Sequence, residues 1–173
     1  MSVLDGHTLY LLRHAKSSWD EPLRDHERPL DARGVRDARA AGRLLAERGW
    51  RPDLVLCSPA VRTRETWQQA TGAGAEAGEV RFVDAIYEAS VVRLLGLVQQ
   101  TPEDVATLML IGHGPGLPGL AEGLGGRPEP QDAWARMDAK YPTAGLAVLR
   151  LPGLWAAAAP GAAELVTFEV PRG

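Results

Sequence analysis

Short apolar runs alternate with stretches of helical spacing along this chain, and that alternation restricts the fold more than any other feature. Strands are predicted at residues 8–12, 53–57, 80–83, 106–111, 145–151 and 165–170. Helices are predicted in the segments 31–49, 58–70 and 90–100, and in a short segment that ends at Leu124. Alternation of this kind is typical of a mostly parallel sheet with helices on both faces. We therefore predict one domain over residues 1–173, with a three-layer α/β/α architecture.

Capping residues predict where two of these helices begin. Asp31 is the predicted N-cap of the first helix, which should end at Gly49 because glycine readily adopts the left-handed conformation. Ser58 is the predicted N-cap of the second helix, with Pro59 at its first helical position. On this interpretation the Ser58 side chain bonds backbone amides and has a structural role.

The polar segment 125–143 is predicted to hold a short helix and to form a cap on the molecule. Trp134, Met137 and Tyr141 would share one face of that helix. A stripe of this kind more often packs against a core than recognises a ligand, so we expect it to be buried.

Composition excludes several classes of function. The chain has a formal net charge of −3, so neither nucleic acid nor an anionic membrane is an expected partner. A single cysteine, Cys57, excludes an internal disulfide framework and favours a reducing cytoplasm, and its place in an apolar run predicts an inert, buried thiol. The histidines lack the spacing of metal sites, so we expect no metal and no other cofactor. The first apolar run is too short to span a membrane and has no signal-peptide features, which favours a cytoplasmic location.

Polar residues follow three of the predicted strands at the point where each strand ends. Arg13 and His14 follow the first strand, Arg62 lies one turn beyond the second, and His113 follows the fourth. Functional groups in folds of this class gather beyond the carboxyl ends of the strands, so these side chains should meet. Two imidazoles and two guanidinium groups at one edge would suit a phosphoryl group. Taken singly, a histidine or arginine at a strand end is more often structural.

Six motifs in order carry a family resemblance: LRHAKSSW, HERPLDARG, LVLCSPAVRTRET, IYEAS, IGHGPGL and YPTAGLAVL. The series resembles the histidine phosphatase superfamily, and within it the SixA-type phosphohistidine phosphatases, over residues 9–148. The resemblance implies a phosphoglycerate mutase-like fold. It implies that His14 is the nucleophile and that Arg13, Arg62 and His113 form the rest of the phosphate pocket.

The chain departs from the mutases of that superfamily, which have glycine where this chain has Ala15. Mutase activity is therefore disfavoured. Glu88, in the IYEAS motif, is a candidate proton donor, and a solvated or arginine-paired glutamate is nearly as good an interpretation. Lys16, Ser17 and Arg28 lie in the long loop 15–30 and are candidate substrate contacts, although charged loops are more often only solvated.

The predicted function is a metal-independent phosphatase that hydrolyses phosphohistidine in a protein substrate through a covalent intermediate on His14. One alternative is a phosphatase of the same superfamily that acts on small phosphate esters. A second is a non-catalytic module that binds a phosphorylated partner through the same arginines.

Overall fold

The computed structural model describes residues 6–126 and 130–173, in which six strands form one mixed sheet. The strands are β1 (His7–Arg13), β2 (Leu54–Cys57), β3 (Glu79–Phe82), β4 (Thr107–Gly112), β5 (Leu146–Leu151) and β6 (Glu164–Glu169). Their spatial order is β3-β2-β4-β1-β5-β6. The four strands β1 to β4 are parallel, whereas β5 and β6 are each antiparallel to their neighbours. The prediction of a mostly parallel sheet is confirmed.

Helices cover both faces of this sheet. They are α1 (Ala32–Arg48), α2 (Val61–Gly72), α3 (Val91–Gln99), α4 (Gly116–Leu124) and α5 (Gln131–Ala139). Successive side chains of a strand point to opposite faces. In β1, Leu9 and Leu11 accordingly pack with α3, α4 and α5, whereas Tyr10 and Leu12 pack with α1 and α2. The three-layer architecture is therefore confirmed. Among the described residues, no helix has the length and apolarity that a membrane span requires.

Helix α1 begins and ends where its capping residues predict. The Asp31 carboxylate accepts a hydrogen bond from the backbone N–H of Gly34 at 2.7 Å. Gly49 follows the last helical residue with a left-handed φ of 65°. Gly34 also permits a close approach, because a Cβ there would lie 2.0 Å from the carbonyl oxygen of Lys16. The first turn of α1 therefore lies directly against the loop that follows β1.

Helix α2 begins at Val61 rather than at Pro59, so the prediction that Ser58 caps it is wrong. The backbone N–H of Ser58 still donates to the Ile111 carbonyl at 3.0 Å, which continues the pairing between β2 and β4 by one residue. Ala60, with an extended ψ of 144°, is the last residue before the helix. Ser58 thus lies at the end of the sheet rather than at a helix cap, although its buried hydroxyl does accept from a backbone amide, the N–H of Ala60, at 3.3 Å, as expected.

The helix predicted in the segment 125–143 is confirmed as α5, although residues 127–129 of the segment lie outside the described part of the chain. Trp134, Met137 and Tyr141 are all buried and belong to the hydrophobic cluster on the α3 and α4 face of the sheet. Tyr141 also donates its hydroxyl to the Leu11 carbonyl. The three side chains therefore pack against the core, as predicted, but Tyr141 lies beyond the end of α5 at Ala139, so the prediction that it shares a helix face with the other two is wrong.

The carboxyl ends of β1, β2 and β4 lie side by side at one edge of the sheet. Arg13 is paired with Gly112, and Cys57 is paired with Ile111. The pairing continues one residue further in β1, because the backbone N–H of His14 donates to the Gly112 carbonyl at 3.0 Å. The residues that immediately follow these three strands are therefore brought together by strand register alone.

Candidate active site

His14 and His113 stand next to each other at this edge of the sheet. Their ring centroids are 5.3 Å apart, with an angle of 51° between the ring planes. His14 is 7% exposed, and His113 is half-buried. The two imidazoles predicted to converge at the strand ends therefore do so.

The His14 ring is held in one orientation by the residue that follows it. Its Nδ1 lies 2.7 Å from the carbonyl oxygen of Ala15. A carbonyl oxygen can only accept, so Nδ1 must carry the hydrogen, and in the neutral ring Nε2 then carries the lone pair. Ala15 is itself fixed, because its backbone N–H donates to the Thr66 hydroxyl at 3.0 Å. The Nε2 atom has no hydrogen-bond partner among residues 6–126 and 130–173, and it is the atom available to attack an electrophile.

Burial keeps both histidines neutral. It lowers the pKa of His14 to about 4, and the charges of Arg62 and Arg13 act in the same direction against the opposing bond to Ala15. Burial likewise lowers the pKa of His113 to about 3, with further contributions from His14 and Arg62. At neutral pH the lone pair of His14 is therefore present in almost every molecule.

Two arginines flank the histidine pair, and each is held through hydrogen bonds from its terminal Nη atoms. Arg13 donates from Nη1 to the Tyr141 carbonyl at 2.8 Å. Arg62, which is 5% exposed, donates from Nη1 to the Asp25 carbonyl at 2.7 Å and from Nη2 to the Asp25 carboxylate at 3.0 Å. These contacts fix both guanidinium groups while their Nε edges remain available.

Three buried nitrogens of this cluster have no hydrogen-bond partner in the described chain. They are Nε of Arg13, Nε of Arg62 and Nδ1 of His113. A buried donor without an acceptor costs about 1–3 kcal/mol, and more when it is charged, so native proteins rarely tolerate one outside a functional site. The two guanidinium nitrogens are donors that an anion with several oxygens could satisfy, and His113 Nδ1 would be a third donor in the tautomer in which it carries the hydrogen. The unpartnered nitrogens make this cluster the candidate site for an anion.

Asp25 joins the pocket to the long first loop and is the main residue that the sequence analysis missed. One of its carboxylate oxygens accepts from Arg62 and, at 2.6 Å, from the Tyr87 hydroxyl. The other accepts from Arg28 at 3.1 and 3.2 Å. Bonds from Tyr87 and Arg62 lower the pKa of Asp25 to about 2, so its carboxylate is charged at neutral pH. The sequence signal was weak, since Asp25 stands just ahead of the HERPLDARG motif in a loop rich in charge.

Tyr87 and Ser58 are two further site residues that were not predicted as such. The Tyr87 ring packs edge-on against His113, with centroids 5.5 Å apart. The Ser58 hydroxyl lies 2.7 Å from Nε2 of His113. Ser58 follows β2 directly, as His14 follows β1, and that shared position was the signal that could have identified it.

The three candidate loop contacts have different surroundings. Arg28 is buried, donates to the Ser17 hydroxyl at 2.6 Å and stacks on the exposed Trp19 ring at 3.5 Å. Ser17 is also buried. The Lys16 side chain is 43% exposed and forms an ion pair with Asp31 at 3.7 Å. Arg28 and Ser17 therefore support the pocket wall through Asp25 and the loop, whereas Lys16 contacts the start of α1.

Glu88 lies on an exposed turn beside Tyr87. Its φ of 55° is in the left-handed region. Its charge contributes to raising the pKa of Tyr87, its neighbour in the chain, behind the larger effect of Asp25. The described residues give it neither a hydrogen bond nor an ion pair. The structure thus brings Glu88 close to the site and does not place it against His14 or His113.

Metal binding finds no support in the described residues. They contain no group of three or more histidine, cysteine, aspartate or glutamate side chains arranged to hold an ion. Cys57 is buried, and burial raises the pKa of its thiol to about 12, so it is not a thiolate ligand at neutral pH. The pocket's positive charge comes from its own arginines.

Comparison with known proteins identifies a family and relatives for the chain. The chain matches the histidine phosphatase superfamily (branch 1) over residues 9–140. It is 40% identical over 162 residues to the uncharacterized protein Rv1276c of Mycobacterium tuberculosis, a match that covers 93% of this chain and all of that protein.

Solved structures give the same fold. A structure from Nakamurella multipartitia, provisionally assigned as the phosphohistidine phosphatase SixA, is 36% identical with a TM-score of 0.81, and 96% of each chain is covered. A structure from Agrobacterium tumefaciens with the same provisional assignment is 32% identical with a TM-score of 0.78, covering 96% of this chain and 99% of that one. The protein histidine phosphatase SixA solved with tungstate is 20% identical with a TM-score of 0.77, covers 95% and 97% of the two chains, and shows the shared fold.

The low pKa values of the two histidines predict how stability depends on pH. Both lie below the unfolded value of 6.5, so between pH 6.5 and about pH 4 the unfolded chain binds protons that the folded chain does not. The free energy of unfolding should therefore fall as pH falls through this window, by up to about 1.4 kcal/mol per pH unit for each histidine. Urea denaturation in phosphate-free buffer between pH 7 and pH 5 measures it.

His14→Asn is the matched variant, because it removes one of the two titrating groups. Its stability should fall less steeply than that of the wild type over the same range. Parallel slopes for the two proteins would show that His14 titrates normally, and the buried neutral imidazole would then be the wrong description of the site.

Proposed function

Since the chain belongs to the histidine phosphatase superfamily, we propose that it is a metal-independent phosphatase that transfers a phosphoryl group to Nε2 of His14 and then hydrolyses it. The observation that carries the proposal is the set of three buried, unpartnered nitrogens beside an imidazole whose Nε2 lone pair also has no partner in the described chain. A pure phosphate-binding module has no use for such a nucleophile, which argues against the non-catalytic alternative.

His14 is the nucleophile in this mechanism. Its Nε2 attacks phosphorus, the bond from phosphorus to the leaving group breaks, and the leaving group departs with the bonding electrons. The ring becomes positively charged as the new N–P bond forms, and the Ala15 carbonyl, which already accepts from Nδ1 at 2.7 Å, stabilises that charge. Water then attacks phosphorus, the N–P bond breaks, and orthophosphate leaves while His14 returns to its neutral form.

Arg13, Arg62 and His113 stabilise the phosphoryl oxygens during both steps. Their free nitrogens are already fixed and partly dehydrated, so little reorganisation is needed as charge develops. Asp25 holds Arg62 by both Nη atoms, which leaves the Nε edge for the substrate. Fixed cationic groups thus take the role that a metal ion has in other phosphoryl-transfer enzymes.

A phosphohistidine carried by a protein is the substrate class that we favour. The relatives from Nakamurella multipartitia and Agrobacterium tumefaciens carry provisional phosphohistidine phosphatase assignments, which supports that class. Leaving-group chemistry supports it too. Asp25 is ionised and has no proton to give, whereas a phosphohistidine protonated on its other ring nitrogen leaves as neutral imidazole. Small phosphate esters need a proton donor, and Glu88, which follows Tyr87 in the chain, is the candidate that would favour them.

Two substitutions distinguish the nucleophile from the groups that bind the phosphoryl oxygens. His14→Ala should abolish turnover because it removes the covalent pathway. Arg62→Ala should lower kcat by about 10² to 10³ and remain measurable, because it removes one charge-stabilising donor. Steady-state hydrolysis of a phosphohistidine peptide and of p-nitrophenyl phosphate measures both. Substantial turnover by a folded His14→Ala protein would refute the assignment of the nucleophile.

The leaving group tests Glu88 and the substrate class together. If Glu88 donates a proton, Glu88→Gln should lower hydrolysis of an alkyl phosphate by about 10² or more and that of phosphohistidine much less, with aryl esters between them. Asp84→Asn, which removes an exposed carboxylate from the same segment, is the control and should have little effect on any substrate. Equal losses on all substrates, or none, would remove Glu88 from the mechanism.

A further inference from the structure

Ser58 and His113 make a buried contact whose direction the surrounding atoms determine. The Ser58 hydroxyl oxygen lies 2.7 Å from Nε2 of His113, and Ser58 is 0% exposed. The same oxygen also accepts a hydrogen bond from the backbone N–H of Ala60 at 3.3 Å. Either the Ser58 hydroxyl or Nε2 of His113 must be the donor in this contact, and no water can reach the serine to bond its hydrogen instead.

Counting donors and acceptors leaves one satisfactory arrangement. If Nε2 of His113 donated to Ser58, the buried serine hydrogen would have no acceptor, and Nδ1 would carry a lone pair where the proposed reaction places a phosphoryl oxygen. If Ser58 donates to Nε2 instead, the serine is fully satisfied and the hydrogen of the ring lies on Nδ1. Nδ1 is the atom that is buried without a partner. A phosphoryl oxygen would then complete its bonding.

From this contact we infer that Ser58 is a positioning residue that selects the tautomer of His113 in which Nδ1 carries the hydrogen. The inference rests on the proposed function in one respect, because it assigns that hydrogen to a phosphoryl oxygen of the substrate. With the opposite tautomer, His113 would present a lone pair to the negatively charged oxygens and repel them.

The tautomer matters because His113 is neutral in the free protein. Burial lowers its pKa to about 3, so one nitrogen rather than two carries a hydrogen at neutral pH. Ser58 is well placed to make the choice because its backbone is fixed on both sides. Its N–H donates to Ile111 at 3.0 Å, and its carbonyl accepts from the Thr63 hydroxyl at 2.8 Å. The β2 and β4 strand ends thus hold the serine and the histidine in register.

Nitrogen NMR of the ring tests the inference in the substrate-free protein. Two-bond ¹H–¹⁵N correlation spectra of protein labelled with ¹⁵N-histidine distinguish a protonated from an unprotonated ring nitrogen, and a His113→Gln spectrum assigns the signals. In the wild type at neutral pH, we expect Nδ1 of His113 to be protonated and Nε2 to be unprotonated. In Ser58→Ala we expect a mixture of the two tautomers, since nothing then selects one.

Thr63→Val is the matched control for damage to the turn. It removes a buried hydroxyl that bonds the Ser58 and Ala60 carbonyls and does not contact His113. It should leave the His113 tautomer as in the wild type, whatever its effect on melting temperature. Ser58→Ala should also lower kcat by about tenfold, a smaller effect than removal of a donor such as Arg62 would have. Ser58→Thr keeps the hydroxyl, so its His113 tautomer should match the wild type and much of the wild-type rate should remain.

A wild-type ring protonated at Nε2 would overturn the inference, and this result does not depend on whether any variant folds. A Ser58→Ala ring that stays fully protonated at Nδ1 would also overturn it, because another group would then select the tautomer. These readings are made without substrate, so they are independent of the proposed phosphatase activity. Substantial turnover by His14→Ala would refute the proposed mechanism, but it would leave the NMR result for His113 unchanged.

Discussion

The parallel pairing of β1 with β4 is the interaction on which the site depends. Because Arg13 lies opposite Gly112, the next residue along each strand is a histidine, and the two rings come within 5.3 Å of each other. The apolar side chains of these strands are almost completely buried on both faces, and that burial resists any slip in register. A slip of one residue would exchange the side chains that pack on the two faces, which are shaped for different neighbours, and would also separate the imidazoles. The core and the site are thus specified by the same contacts.

A pocket that collects positive charge needs compensation before its substrate arrives. Asp25 provides it by bonding Arg62 and Arg28 together, and Tyr87 donates to the same carboxylate. The carboxylate binds the outer atoms of these groups and leaves Nε of Arg62 without a partner. Such partial satisfaction keeps the guanidinium oriented, and in the proposed reaction its free Nε would bind a phosphoryl oxygen.

Local sequence signals predicted the features that are determined by residues close together in the chain, such as helix caps and strand ends. The caps of α1 at Asp31 and Gly49 and the strand ends at His14 and His113 were correct for this reason. The bond from Arg62 to Asp25 joins residues 37 positions apart, and the one from Tyr87 spans 62. No periodicity or capping rule encodes contacts of that range. The prediction that Ser58 caps α2 was wrong for a different reason. A serine before proline is a good helix cap, and the pairing of Ser58 with β4 that competes with this role is visible only in three dimensions.

Trapping the intermediate tests the central claim most directly, namely that this pocket directs a phosphoryl group onto one nitrogen of one histidine. Enzyme mixed with a ³²P-labelled phosphohistidine peptide should be quenched with alkali within the first turnover, digested, and mapped by mass spectrometry and by comparison with phosphohistidine standards. The account predicts an alkali-stable, acid-labile phosphoryl group on Nε2 of His14, because Nδ1 is occupied by the Ala15 carbonyl. Label on Nδ1, on His113 or on any other residue would contradict it.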